Sequence, residues 1–310
     1  MKKGVLVQYS LFLTILVFSS CSLNDAPELI PVDPPDDTPL IEFYVAADMR
    51  NYLGPQEFQG ALNAINIIGP GSFLLLPGDI DPPDAVAAAI GSVMGSDHLW
   101  VPVIGNHEAE TGSDMVFLET CYTGLKDVLP GYEPGPVNDG GSCFSFSVGS
   151  IRIVVINQYS TGEGPASFLA GSVKDELYAW LESQLVGLVE QYLLVVGHEP
   201  AYPQPDALSG RLRHEDDSLN AFPAERDRFQ ALMEAEGVDA YLFGHTHNQS
   251  TLNVGSVLHI DAGHARGIAD RGAPSTFLRV AEFLDRVEIM VYRSNDGMDY
   301  VLIQRIPIYP

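Results

Sequence analysis

The sequence predicts an α/β fold, on two observations. Short apolar runs of buried-strand length alternate with helical stretches through the first half, and five of these runs stop abruptly at polar clusters. The five are Ile41 to Ala47, Phe73 to Leu76, Leu99 to Ile104, Leu193 to Val196 and Ala240 to Phe243. Pro55 to Ile68, Pro82 to Met94, Val173 to Val189 and Pro223 to Glu236 have helical spacing and length. Later runs rich in β-formers, Cys143 to Val148, Ile151 to Asn157, Leu252 to Ile260, Phe277 to Phe283, Val287 to Tyr292 and Val301 to Ile306, suggest hairpins and a second sheet.

The chain of 310 residues can bury one substantial core, and no linker divides it beyond its N-terminal stretch. Its formal charge of −25 disfavours nucleic acid as a partner. Residues 1–21 read as a secretory signal: Lys2 and Lys3, an apolar run from Leu11 to Phe18, then Ser19-Ser20-Cys21. The run is too short to span a bilayer, and small residues before a cysteine resemble a lipobox, which would anchor the exported protein to a membrane through a lipid on Cys21. Phe18 departs from the usual Leu or Val, so an ordinary secretion signal with an incidental Cys21 stays open. Residues 22–39, with Pro27, Pro31, Pro34, Pro35 and Pro39 among acidic residues, read as a stiff tether, and the folded domain is expected over 40–310. Export would let Cys121 and Cys143 pair, and a disulfide across that Gly/Pro-rich segment is expected; two separately buried thiols are the other reading.

The strand-end clusters are Asp48-Met49-Arg50, Gly78-Asp79-Ile80-Asp81, Gly105-Asn106-His107-Glu108, Gly197-His198-Glu199-Pro200 and Gly244-His245-Thr246-His247. In layered α/β proteins the carboxyl ends of strands line one crevice, so the five can converge. Asp, Asn and His together suit zinc, manganese or iron rather than calcium. His245 and His247, one residue apart on an extended strand end, project the same way and could serve two adjacent ions. A carboxylate such as Asp79 can bridge two cations, and Asn106 offers a neutral oxygen.

In this order these clusters closely resemble the motifs of the calcineurin-like metallophosphoesterase family. The resemblance implies a four-layer α-β-β-α sandwich, two mixed sheets face to face with helices outside, and one or two divalent transition-metal ions (Mn, Fe or Zn) at its top. By motif position, Asp79 would bridge the metals, Asn106, His198 and His245 would complete one ion, and Asp48 with His247 would bind the other. His107 would be the acid that protonates the leaving group, with Glu108 supporting its imidazole; a structural turn histidine is the alternative.

The chain departs from the family at Arg50, where a ligating histidine belongs. A guanidinium has no lone pair to give, so the first-metal set would shrink to Asp48, Asp79 and His247. Arg50 could instead grip a phosphate oxygen, or simply pair with a carboxylate at the surface. A milder departure puts Pro82 where an acidic residue often follows, and Asp81 could serve instead. His259, His264 and Arg266 could line the cleft or merely support it. The tyrosine that purple acid phosphatases place after the bridging aspartate is missing. The expected activity is hydrolysis of phosphate mono- or diesters by attack of a metal-activated hydroxide. A degenerate family member that binds a ligand or partner, and a metal-dependent hydrolase of another ester or anhydride, remain the alternatives. Specificity would reside in the segments between Thr111 and Ser142 and between Tyr202 and Ala221. Substrate, metal identity and oligomeric state are not written in the sequence.

Overall fold

The structure, a computed structural model, describes residues 26–137, 139–160 and 171–310. The expected signal segment and Cys21 lie outside the described residues. Among the described residues no helix is long and apolar enough to cross a membrane. Residues 26–39 carry no helix or strand. They are nonetheless fastened to the domain, Val32 N–H donating to Leu302 O at 2.8 Å and Asn295 Nδ2 to Pro27 O at 2.8 Å.

Strands β1 (Ile41–Val45), β2 (Leu74–Leu76) and β3 (Trp100–Pro102) alternate with helices α1 (Phe58–Ile68) and α2 (Pro83–Met94). The short helix α3 (Asn106–Glu110) and α4 (Gly112–Leu125) follow, then β4 (Glu133–Pro134), β5 (Phe144–Val148) and β6 (Ile151–Val155). Helix α5 (Asp175–Leu185) leads into β7 (Tyr192–Val196), α6 (Pro223–Ala235) and β8 (Ala240–Phe243). The chain ends with β9 (Gln249–Val254), β10 (Val257–Ala262), β11 (Ser275–Glu282), β12 (Val287–Ser294) and β13 (Val301–Ile308).

These strands form two mixed sheets. One has the order β13-β12-β11-β1-β2-β3, the other β4-β5-β6-β7-β8-β10-β9. β1, β2 and β3 run parallel, as do β6, β7, β8 and β10, so their carboxyl ends share one edge of the molecule. Alternation explains why the central strands read as unbroken apolar runs. In β7, Leu194 and Val196 join the core between the sheets, while Leu193 and Val195 pack on the helix side with Leu181 of α5 and Phe229 of α6. In β8, Ala240 and Leu242 face inward and Tyr241 and Phe243 face the helices. The architecture is the expected sandwich of two mixed sheets with helices.

Two expectations differ, and one is refined. The late β-rich runs form hairpins shared between the two sheets: β5, β6, β9 and β10 lie in the second, β11, β12 and β13 extend the sheet begun by β1, and the run Leu252 to Ile260 turns at Gly255, whose φ of 58° needs glycine. Much of the segment between Thr111 and Ser142 is helix α4, seated on the core through Leu118, Tyr122 and Leu125. The expected disulfide is absent. Cys121 and Cys143 are free thiols. The Cys143 side chain is committed to the helix-side core, where its Sγ accepts from the Asn157 N–H at 3.2 Å, while α4 packs its buried residues on the core between the sheets.

His259 lies in that helix-side core and not in a cleft, its Nε2 donating to Gln230 Oε1 of α6 at 2.8 Å. Burial lowers its pKa from the ordinary 6.5 to about 4. The unfolded chain therefore takes up this proton at a higher pH than the fold does, and stability drains away as pH falls from 6.5 through 4. A His259→Gln variant should show a shallower loss of stability than the native chain over that interval, measured by urea melts at a series of pH values. Equal slopes would refute the assignment.

Candidate metal centre

Five strand ends, those of β1, β2, β3, β7 and β8, supply the candidate ligands, and the backbone explains how. Asp48, Asp79, His245 and His247 all have φ between 53° and 72°. Non-glycine residues rarely adopt this left-handed conformation, and here it turns each side chain sharply off the end of its strand into a common space. Two preceding glycines make room. A Cβ at Gly105 would lie 2.4 Å from Asp79 N, and one at Gly244 would lie 2.5 Å from Asp48 Oδ2.

His198 Nε2 is the meeting point. It stands 3.3 Å from Asp79 Oδ1, 3.3 Å from Asn106 Oδ1 and 3.2 Å from His245 Nδ1. Both rings have their other nitrogen tied to a carbonyl: His198 Nδ1 to Pro77 O at 2.7 Å and His245 Nε2 to Asp217 O at 3.0 Å. A carbonyl only accepts, so those nitrogens carry the protons. Burial lowers both pKa values, that of His245 to about 3, so each imidazole is neutral at pH 7 and holds a single N–H. The facing nitrogens are therefore two lone pairs at 3.2 Å with a carboxylate oxygen beside them. Whichever way the Asn106 amide is turned, the other three groups cannot donate to one another. A cation among them would resolve the contact, and imidazoles anchored to carbonyls through their far nitrogens are how proteins orient metal-binding histidines. The donor set fits a transition-metal ion.

A second position adjoins it. Ligand atoms of Asp48, Asp79 and His247 lie within 4.8 Å of one another. Asp48 is fully buried, its Oδ2 accepts from the His245 N–H at 2.9 Å, and its Oδ1 has no hydrogen-bond partner but faces His247 Nε2 at 3.4 Å. His247 Nδ1 faces the Asp270 carboxylate and, at 2.8 Å, Arg213 Nη1; in the tautomer that donates Nδ1–H to Asp270, Nε2 is again a lone pair. Burial and then the charges of Asp79 and Asp261 push the Asp48 carboxyl well above the usual range. Asp79 goes the other way: burial opposes its charge, but the imidazoles of His198, His107 and His245 hold it below the usual value. The second position thus offers three donors, one short of a closed tetrahedral set.

Arg50 does not make up the difference. Its Nη2 pairs with Asp81 Oδ2 at 3.3 Å and its Nη1 donates to His107 Nε2 at 3.2 Å. His107 lies beside the centre, Nε2 at 3.5 Å from Asp79 Oδ2 and Nδ1 at 3.8 Å from Asp81 Oδ2. Glu108 does not support that imidazole, contrary to expectation. Its Oε2 accepts from the Gly105 N–H at 2.8 Å and from the Asp79 N–H at 3.0 Å, capping α3 and bracing the Asp79 backbone. The carboxylates facing His107 are Asp79 at Nε2 and Asp81 at Nδ1.

Other residues around the centre had no periodic or motif signal. The loop between Tyr202 and Leu219 brings Arg213, His214 and Asp217 over it, and Asp270 stands behind His247. His214, Asp217 and His245 also offer ligand atoms within 4.8 Å. They fit a metal poorly, because His214 Nδ1 faces Asp217 Oδ2 at 2.9 Å and its Nε2 accepts from Arg213 Nη2 at 3.1 Å, leaving no lone pair. His264 is fully buried, its Nε2 donating to Ala273 O and its Nδ1 accepting from the Arg266 N–H, and it serves the turn rather than the cleft.

Residues 41–249 match the calcineurin-like phosphoesterase family, and the chain belongs to it. Among solved structures it is similar to GAP50, described as the anchor in the inner membrane complex of Plasmodium, at 14% identity and a TM-score of 0.54, covering 87% of this chain and 88% of that one. It is likewise similar to PhoD, at 10% identity and a TM-score of 0.54, covering 88% of this chain and 73% of that one. Both likenesses concern the fold alone. No curated protein matches the chain in sequence.

The donor geometry sets an expectation for metal content. Protein purified without added metal should carry about one transition-metal ion per chain by elemental analysis. His198→Ala should weaken binding by at least about a hundredfold, beyond the 10–100-fold typical of losing a supporting partner. Arg50→His, which restores a fourth donor to the second position, should raise the count toward two. An unchanged metal content in His198→Ala would refute the assignment.

Proposed function

We propose that the protein is a metal-dependent phosphoesterase that hydrolyses phosphate mono- or diesters outside the cytoplasm, anchored through a lipid on Cys21. The observation that carries the enzymatic reading is the convergence of Asp79, Asn106 and His245 on His198 Nε2, with His107 alongside Asp79. The signal-like N-terminus supports the location.

A transition-metal ion held by Asp79, Asn106, His198 and His245 would supply Lewis-acid polarisation of a phosphoryl oxygen and a water made nucleophilic near neutral pH. The chain's own residues supply the rest. His107 stands beside the bridging carboxylate, where it can deliver a proton to a departing alkoxide. In the ligand-free arrangement its Nε2 accepts from Arg50, so that nitrogen carries no proton. A bound phosphate competes for the guanidinium, because a charge-assisted bond to a phosphoryl oxygen is stronger than one to a neutral imidazole. Arg50 then moves to the substrate, releasing His107 Nε2 for protonation, with Asp81 beside Nδ1 to stabilise the imidazolium. Arg50 would thereby couple substrate arrival to arming of the acid.

One observation favours a second reading. The same Arg50 contact, together with the three-donor second position, suits a degenerate member that binds a ligand without turning it over. Assays of p-nitrophenyl phosphate and bis-p-nitrophenyl phosphate with added manganese, zinc or iron separate the two, and no turnover with any metal would favour the binding role. In the active case, His107→Asn should lower kcat on an alkyl phosphate by about 10²–10⁴-fold and on p-nitrophenyl phosphate by much less, since nitrophenolate leaves without a proton. Arg50→Ala should raise KM for both substrates. A His107→Asn loss independent of leaving group would overturn the acid role, and an unaltered KM in Arg50→Ala would overturn the phosphate grip.

A further inference from the structure

The Arg266 side chain is a mostly buried cation that makes no hydrogen bond among the described residues. The Ala265 N–H donates to Ala47 O at 2.9 Å, pinning this turn against the end of β1 next to Asp48. The Arg266 side chain is only 19% exposed. Among the described residues its one polar contact is Asp270 Oδ2, at 3.8 Å, beyond hydrogen-bond reach, and its buried Nε has no partner. A guanidinium carries five N–H donors; in Arg266 the Nε–H is buried and unpaired, which is costly, and the Nη groups at the surface are free to take an acceptor.

Its neighbours make the contrast. Arg211 uses four of its five donors: Nε donates to Asn248 Oδ1, Nη1 to Asp270 Oδ1 and Arg271 O, and Nη2 to His247 O, all within 2.9 Å. Arg213 is partly engaged, Nη1 facing His247 Nδ1 at 2.8 Å and Asp270 Oδ2 at 3.1 Å and Nη2 donating to His214 Nε2 at 3.1 Å, and its side chain is 35% exposed. Three guanidinium groups therefore converge on the single carboxylate of Asp270, which is held far below the usual range by the hydrogen bonds of His247 and Arg211 despite its burial. In a chain of formal charge −25, this surplus of positive charge is local and built. It lies on the His247 side of the centre, away from the Arg50, Asp81 and His107 group that flanks Asp79.

We infer that Arg266 and Arg213 form a subsite for a second anionic group, a carboxylate or a further phosphate, on the substrate whose phosphate ester is cut. This rests on the phosphoesterase reading. Arg266 supplies the unpaired donors, Arg213 closes the open side, and Arg211 and Asp270 hold the frame. A substrate bearing one phosphate and no other charge would leave these donors unfilled.

The test uses the metal-loaded full chain and two non-hydrolysable probes that differ in one group, propylphosphonate and 3-phosphonopropionate, with affinities measured by calorimetry. The carboxylate-bearing probe should bind at least about tenfold tighter, the scale of one charge-assisted hydrogen-bonded pair. That ratio should fall toward one in Arg266→Gln and in Arg213→Gln, while Arg266→Lys should keep part of it. The Lys variant also guards against a merely misfolded Gln variant. Binding of both probes with equal affinity overturns the subsite alone, as does a ratio that survives both Gln variants. If neither probe binds and no phosphate ester is turned over, the subsite falls together with the phosphoesterase reading.

Discussion

Two imidazole lone pairs held face to face constrain everything at the top of this sandwich. His198 and His245 could relieve their contact by turning a ring or moving a proton, but Pro77 O and Asp217 O hold the far nitrogens in place. Pro77 ends the strand that delivers Asp79, and Asp217 closes the loop above. The tautomers are thus fixed by backbone carbonyls from two different parts of the chain, and with them the demand for positive charge at one point. Packing, strand register and loop path all serve that arrangement.

The strand ends interlock to maintain it. Asp48 Oδ2 holds the His245 backbone, Glu108 holds the Asp79 and Gly105 backbones, and Asp79 Oδ1 accepts from the His107 N–H. Apart from the Glu108 cap on Gly105, each bond joins the end of one strand to the end of another, across both sheets in the case of Asp48 and His245. The left-handed backbone at four ligand positions is strain that these cross-links hold in place, in keeping with the concentration of unusual backbone at functional sites.

Much of this was legible in the sequence because strands buried on both faces read as plain apolar runs, and the polar residue that stops each run is conspicuous. The ligand set is the same signal seen from its other side. What failed was inference from adjacency. Glu108 follows His107 directly, but successive side chains on a helix diverge, and α3 begins at Asn106, so Glu108 turns back to cap the helix while His107 faces out. Helix α4 escaped notice because its buried Leu118, Tyr122 and Leu125 are outnumbered by polar and glycine positions, and Val116 on its surface is exposed. Asp270, Arg213 and His214 sit on loops, where no period exists to reveal them. The Cys121 and Cys143 pairing went wrong because a shared flexible segment says nothing about which layer each thiol enters.

The loop that brings Arg213 and His214 over the centre starts at Asp206, whose carboxylate accepts from Leu208, Ser209 and Gln249 N–H groups and is clamped by the fully buried Arg293 of β12. That ion pair ties a crossover of one sheet to a strand of the other. A fully desolvated pair of this kind is lost when either partner is removed, so it fixes the base of the loop to the core. The ordering entropy of that base is settled when the chain folds, before anything reaches the cleft.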